Sequence, residues 1–159
     1  MKTIFTLLLV LTISLIAFSQ KTDYSQTFNS VEKAKLFFEK YDDEFNKAVT
    51  EKDSMFFAHH LADTYFNCTP QGFINNKKDE IRTLLGLPFS KVERIATKSE
   101  IFTYSGNLAT FSVIKKLTNE KNSVVAYVRR TTVYQIIDGR WQSVSGQGTN
   151  VPVENLSVK

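Results

Sequence analysis

Residues 123–151 read SVVAYVRRTTVYQIIDGRWQSVSGQGTNV. Apolar and β-branched side chains fill residues 123–137, and Asp138-Gly139 follows them at once. An Asp-Gly pair between two such runs is a strong signal for a two-residue hairpin, because both turn positions must take positive φ. The pair therefore predicts two long antiparallel strands, 123–137 and 140–151, the second stopped by Pro152. In the first strand one parity holds Val124, Ala126, Val128, Arg130, Thr132, Tyr134 and Ile136. The other holds Val125, Tyr127, Arg129, Thr131, Val133, Gln135 and Ile137. The first set is the more apolar, so Arg130 is the arginine expected to point inward. In the second strand Trp141, Ser143, Ser145, Gln147 and Thr149 share a parity. A Trp followed by small polar side chains predicts a recess with hydrogen-bonding walls.

Working back toward the N-terminus, residues 108–118 and 92–104 predict two more long strands, separated by Ser105-Gly106-Asn107 and by the turn at 119–122. Helical spacing precedes them. Val31, Ala34, Phe38, Tyr41, Phe45 and Ala48 recur at intervals of three and four, which makes one apolar stripe, and Ser30 is placed to cap it. Asp53 or Ser54 caps a short second helix over 55–61, and Asn76 opens a third that ends at Gly86 and Pro88. Between them, residues 64–69 predict a strand, Pro70-Gln71-Gly72 a turn and Phe73-Ile74 a short return strand. Helices first and antiparallel strands afterwards is an α+β pattern with three N-terminal helices on one face of a sheet. Long antiparallel strands twist, and bulges curl them. The expected shape is a cone with a curved antiparallel sheet and a pocket under its helices.

The chain has 159 residues, 20 Lys+Arg against 16 Asp+Glu, 42% hydrophobic and 23% charged residues. That is the composition of one ordinary globular domain. The basic residues are spread along the chain without a dense stripe, which argues against nucleic acid as a partner. A lone cysteine, Cys68, excludes an intrachain disulfide framework and any multi-Cys zinc site, and predicts a buried inert thiol. No metal site and no cofactor is predicted.

Residues 1–20 read MKTIFTLLLVLTISLIAFSQ. Lys2 precedes a short apolar run, and Ala17-Phe18-Ser19 puts small residues at both recognition positions of a signal peptidase site. The run is short for a bilayer span, and Lys21, Thr22 and Asp23 make no strong stop-transfer cluster. The expected organisation is a signal peptide over 1–19, a flexible segment over 20–30, the cone domain over 31–152 and a tail over 153–159. The mature protein is then periplasmic or secreted, with no membrane association after cleavage.

Several ordered motifs resemble one superfamily. Residues 38–53 (FEKYDDEFNKAVTEKD) resemble the first helix of nuclear-transport-factor-2-like proteins. Leu61-Ala62-Asp63-Thr64-Tyr65-Phe66, then Gly72, then Lys78-x-Glu80-Ile81 are similar to the helix, strand and helix that follow. Arg130-Thr131-Thr132-Val133-Tyr134, Asp138-Gly139-Arg140-Trp141 and Val144-Ser145-Gly146-Gln147 are similar to the closing strands. The set spans residues 32–151, and the branch it most resembles is the SnoaL-like group called domain of unknown function 4440. The resemblance implies a cone-shaped α+β fold with a deep pocket, often as a homodimer through the sheet. It does not imply one activity, since the superfamily holds isomerases, cyclases, epoxide hydrolases, dehydratases and noncatalytic members.

The resemblance implies that catalytic members mostly need a carboxylate or a histidine inside the cone. After Ile101 the only acids are Glu120, Asp138 and Glu154, two in predicted turns and one in the tail. The later strands therefore supply no acid. His60 and Asp63 are the remaining candidates for a base and its orienting partner. Tyr65, Asn67, Arg130, Trp141 and Gln147 are the candidate ligand-binding lining. An inward Arg130 needs an anionic partner, which Asp63 or an acidic ligand could provide. Asn67-Cys68-Thr69 also matches a glycosylation sequon. These residues favour an exported small-molecule-binding domain whose ligand is apolar or aromatic with a polar handle. Beside it stand two other readings: an isomerase, cyclase or hydrolase-like enzyme using His60 or Asp63, and a dimeric interaction module. Mass spectrometry of the exported protein should give a mature N-terminus at Gln20; an intact N-terminus in the membrane fraction would overturn the signal-peptide reading.

Overall fold

The computed structural model describes residues 22–156. The signal-peptide reading and the last three residues of the tail lie outside them. Helix α1 spans Val31–Glu51, with the Ser30 hydroxyl accepting the Lys33 N–H and Lys52 closing the last turn at φ 58°. Its buried side is wider than a single stripe. Phe37, Asp42, Asn46 and Val49 are buried together with Ala34, Phe38, Tyr41 and Ala48, while Val31 is exposed. Helix α2 (Ser54–His60) starts at Asp53, whose carboxylate accepts the Phe56 N–H at 2.9 Å. Strands β1 (Leu61–Cys68) and β2 (Ile74–Asn76) lead into helix α3 (Lys77–Gly86), capped by the Asn76 side chain.

The remaining strands are β3 (Phe89–Ile95), β4 (Ile101–Ser105), β5 (Leu108–Asn119), β6 (Val124–Ile137) and β7 (Arg140–Asn150). They form one sheet in the order β2-β1-β7-β6-β5-β3, with β4 also on β5. Among the described residues only β1 and β7 run parallel; every other pair is antiparallel. The sheet curls without closing, and the three helices lie within the curl. The α+β class and the curved sheet match the sequence expectation. The β6–β7 hairpin turns at Asp138 and Gly139, with φ of 50° and 73°.

Two strands depart from that expectation. The run 92–104 is broken: β3 ends at Ile95 opposite Ile114, and β4 begins at Ile101 opposite Ser112. The intervening Ala-Thr-Lys-Ser-Glu has no apolar alternation. Glu100 is held to α1 by Lys35 at 2.7 Å and to the end of β3 by Arg94 at 3.2 Å, while Arg129 holds the Ser99 carbonyl at 2.9 Å. The second departure is in β7. Val133 pairs with Ser145 but Tyr134 pairs with Ser143, so the ladder skips Val144. This bulge reverses the side-chain parity beyond it. Trp141 and Ser143 face inward, then Gly146 and Gly148 do, and Gln147 faces out.

Two apolar clusters fill the interior. One gathers Phe37, Phe38, Tyr41, Phe111, Val113, Tyr134 and Trp141. The other gathers Ala48, Val49, Phe57, Leu61, Tyr65 and Leu84. Residues 22–29, which the sequence suggests are flexible, lie across the first. The Trp141 backbone N–H and its indole N–H donate to the Tyr24 and Gln26 carbonyls, each at 2.7 Å. The Phe28 ring stacks on that indole at 6.5 Å. Aromatic anchors at Tyr24 and Phe28 offset the ordering cost of an otherwise polar segment. Phe38, fully buried against Tyr134 and Trp141 at ring distances of 4.7 and 5.0 Å, sits at the middle of this cluster. Phe38→Ala should cost about 3–5 kcal/mol in denaturant unfolding, with Val31→Ala near neutral as the exposed control; a cost for Phe38→Ala as small as the control's would contradict this packing.

Candidate functional site

A cavity of about 280 Å³ opens between α1, α3 and the inner face of β5 and β6. Phe45, Val49, Leu84, Val92, Leu117 and Val128 form its apolar walls. Polar side chains line it too, and the buried or nearly buried ones among them are Asn46, Asn67, Glu80, Lys115 and Arg130. They belong to two buried networks.

The first network is built around Arg130. The parity of β6 turns it inward, and its side chain is only 14% exposed. Asn67 and Tyr65 alternate on the inner side of β1 and meet it there. The guanidinium donates to Asn67 Oδ1 at 2.8 Å and to the Tyr65 hydroxyl at 2.6 Å. It also pairs with Glu80 Oε1 at 3.4 Å. Glu80 stands in the first turn of α3, where a carboxylate suits the helix dipole, yet it is 2% exposed. Its oxygens accept both contacts of the Asn67 amide, at 3.1 and 3.0 Å, and one from Asn75 at 3.0 Å. Burial pushes the Tyr65 phenol up to about 12, with the positive Arg130 opposing that rise. Burial also opposes the charge on Arg130, but Tyr65 and Glu80 more than compensate, and its proton is held more tightly than usual.

The second network is built around Lys115. Asp42 and Asn46 lie one turn apart on α1, and both face β5. Lys115 Nζ meets Asp42 Oδ1 at 2.7 Å and Asn46 Oδ1 at 2.5 Å, and lies 5.2 Å from the Phe45 ring centre. Burial pulls the Lys115 ammonium below the ordinary lysine range, against the attraction of Asp42.

The sequence-derived candidates divide. Tyr65, Asn67 and Arg130 come together. Trp141 does not reach the cavity: its ring is fully buried in the other cluster, with its N–H given to Gln26. Gln147 is on the outer face because of the β7 bulge. Asp63 is not the partner of Arg130. The β1 ladder is irregular between Leu61 and Phe66, and Asp63 is thrown outward, with its side chain 97% exposed. It binds Lys77 at 2.9 Å, which holds its carboxyl below the usual range. His60 lies half-buried at the end of α2, 3.1 Å from the Tyr41 hydroxyl and stacked on Phe56 at 4.1 Å, away from the cavity walls. Cys68 is half-buried and free rather than buried. The sequon is closed in the folded chain, since the Asn67 amide is buried and bonded to Glu80.

Sequence reasoning missed Glu80, Asp42, Asn46 and Lys115. Their signals were present. Lys115 continues the apolar parity Ala109, Phe111, Val113 and Leu117 of β5. Asp42 follows Phe38 by four, and Glu80 precedes Leu84 by four, so each lies on a buried helix face. The expectation that the later strands contribute no acid agrees with the positions of Glu120 and Asp138 in exposed turns. The interior acids come from the helices instead. No group of three or more His, Cys, Asp or Glu side chains converges among the described residues.

Gly146 makes the Arg130 network possible. A Cβ there would lie 2.5 Å from Arg130 Nη2 and 2.7 Å from the Tyr65 hydroxyl. Gly146→Ala should therefore displace the guanidinium and destabilise the fold by about 1–3 kcal/mol. Denaturant unfolding measures the cost, and the phenol titration of Tyr65 at about 12 should move in the same variant; an alanine tolerated without either change would contradict this geometry.

No family model matches the sequence, and no curated protein matches it either. Solved structures do match. An NTF2-like protein from Cytophaga hutchinsonii superposes with a TM-score of 0.62 at 16% identity, over 74% of this chain and 98% of that one. A CamKII hub homology domain from Chlamydomonas reinhardtii gives 0.62 at 17% identity, over 75% and 99%. A candidate ketosteroid isomerase from Parabacteroides distasonis gives 0.62 at 14% identity, over 83% and 99%. These likenesses show that the chain has the fold of the nuclear-transport-factor-2-like proteins.

Proposed function

We propose that this protein is an exported, SnoaL-like small-molecule-binding domain, periplasmic or secreted, whose ligand is a single-ring or short branched molecule with an anionic handle. The state of Arg130 carries this reading. A guanidinium has five N–H donors, and the described residues engage three of them, at Asn67, Tyr65 and Glu80. The charge of Glu80 is already shared among the amides of Asn67 and Asn75. Two guanidinium donors have no partner among the described residues, on a side chain that lines the cavity. A cavity of about 280 Å³ is at the small end of ligand pockets. It suits a benzoate-sized acid.

An enzymatic reading is kept alive by one observation. Two ion pairs, Arg130 with Glu80 and Lys115 with Asp42, stand against the same cavity. They replace His60 and Asp63 as the groups on which chemistry there would depend. A homodimer through the outer sheet face fits the exposure of Phe66 and Ile74, which share that face by the pairing of Cys68 with Ile74.

Calorimetry with benzoate and with neutral benzamide tests the reading. Benzoate should bind the native protein more tightly than benzamide, and Arg130→Ala should abolish the benzoate signal. Unchanged benzoate affinity in that variant would sink the proposal. A native mass spectrum of the freshly purified protein should show a co-purifying acid of the same size.

A further inference from the structure

Lys115 has a place in the cavity that the anionic handle does not explain. A buried ion pair contributes little to stability, and an apolar side chain of similar volume, such as Met, would suit the β5 position at least as well. Lys115 nevertheless lines an open space, and its amine has Phe45 on one side and a carboxylate at 2.7 Å on the other. Arg130 is its diagonal neighbour on the same face of the sheet: Val113 pairs with Arg130, and Lys115 pairs with Val128. The backbone positions of diagonal neighbours are about 7–8 Å apart, so the two side chains border one small space. Desolvation, an adjacent cation and a proton acceptor within hydrogen-bond reach are the conditions that turn a lysine into a nucleophile. The downward pull of burial on its ammonium agrees with that setting.

We propose that Lys115 condenses reversibly with the carbonyl carbon of a small oxo acid or formyl acid whose carboxylate rests on Arg130, forming an imine in the cavity. This rests on the ligand-binding reading above and names the second functional group of the ligand. The steps balance without any further reactant. The Lys115 ammonium gives one proton to Asp42 Oδ1. The freed lone pair on Nζ attacks the carbonyl carbon, and the C=O π electrons move to oxygen. A second proton passes from nitrogen to that oxygen, giving a neutral carbinolamine. The nitrogen lone pair then expels the hydroxyl group, which takes back the Asp42 proton and leaves as water. A protonated imine remains beside the Asp42 carboxylate, so the charge pair is the same before and after. Asn46 and the Phe45 face fix the head group while this happens.

The test uses 4-formylbenzoate with cyanoborohydride on the purified protein, followed by peptide mass mapping. The expected result is one reduced adduct at Lys115, formed at least ~10-fold faster than at exposed lysines such as Lys47, because only the desolvated amine is activated. Excess benzoate, which competes for Arg130 but cannot form an imine, should slow the labelling. The Asp42→Asn, Lys115→Met double variant leaves no unpaired charge; it should keep the circular dichroism spectrum of the native fold and lose the adduct. If benzoate binds by calorimetry but adducts scatter over exposed lysines, the imine is overturned and the binding reading stands. If neither benzoate nor 4-formylbenzoate binds and labelling is scattered, both fall.

Discussion

A charged guanidinium brought inside a curled sheet must be matched from more than one direction. Arg130 projects from the concave side of β6 and is met by Asn67 and Tyr65 from β1 and by Glu80 from α3. These contacts tie together elements that are remote in sequence. They also impose demands of their own. Gly146 must lack a side chain so that the guanidinium and the phenol can lie over the β7 backbone. Glu80 must sit in the first turn of α3, where the Asn76 cap places it. The bulge in β7 then brings Gly146, rather than Ser145 or Gln147, to the inner face. An uncompensated charge at this depth would cost several kcal/mol. The network is therefore a condition for the fold as well as a feature of the cavity.

The interior divides along the cone. Toward one end, rings from α1, β5, β6 and β7 pack edge to face, and residues 22–29 close over Trp141. Toward the other, polar side chains enter from α1, α3 and the sheet to border a cavity. Asp42 and Asn46 of α1 reach Lys115 of β5 next to this aromatic end. Neutral phenols accompany this arrangement: burial keeps Tyr41, Tyr65 and Tyr134 protonated well above the ordinary tyrosine range.

Much of the architecture was legible because it rests on local rules. The α1 stripe, the Ser30, Asp53 and Asn76 caps and the Asp138-Gly139 turn each follow from one or two residues. The inward direction of Arg130 followed from strand parity. The failures share a cause, which is irregularity in a ladder. One skipped residue at Val144 exchanged Gly146 for Gln147 on the inner face, and the irregular start of β1 threw Asp63 outward. Parity cannot reveal its own interruptions, since a bulge depends on the neighbouring strand. Glu80 and Lys115 were passed over for another reason. Acidic and basic residues on an apolar face read as exceptions until their opposite charges are found on distant elements.

The tripeptide Asn67-Cys68-Thr69 has a practical side. In the finished fold the Asn67 amide is turned away from solvent and spent on Glu80, while its oxygen accepts from Arg130. A sugar attached to the nascent chain would occupy that nitrogen before β1 could join the sheet. Yeast or mammalian secretion is thus a poor choice for manufacturing this polypeptide, and bacterial expression, where the tripeptide goes unread, is the safer route.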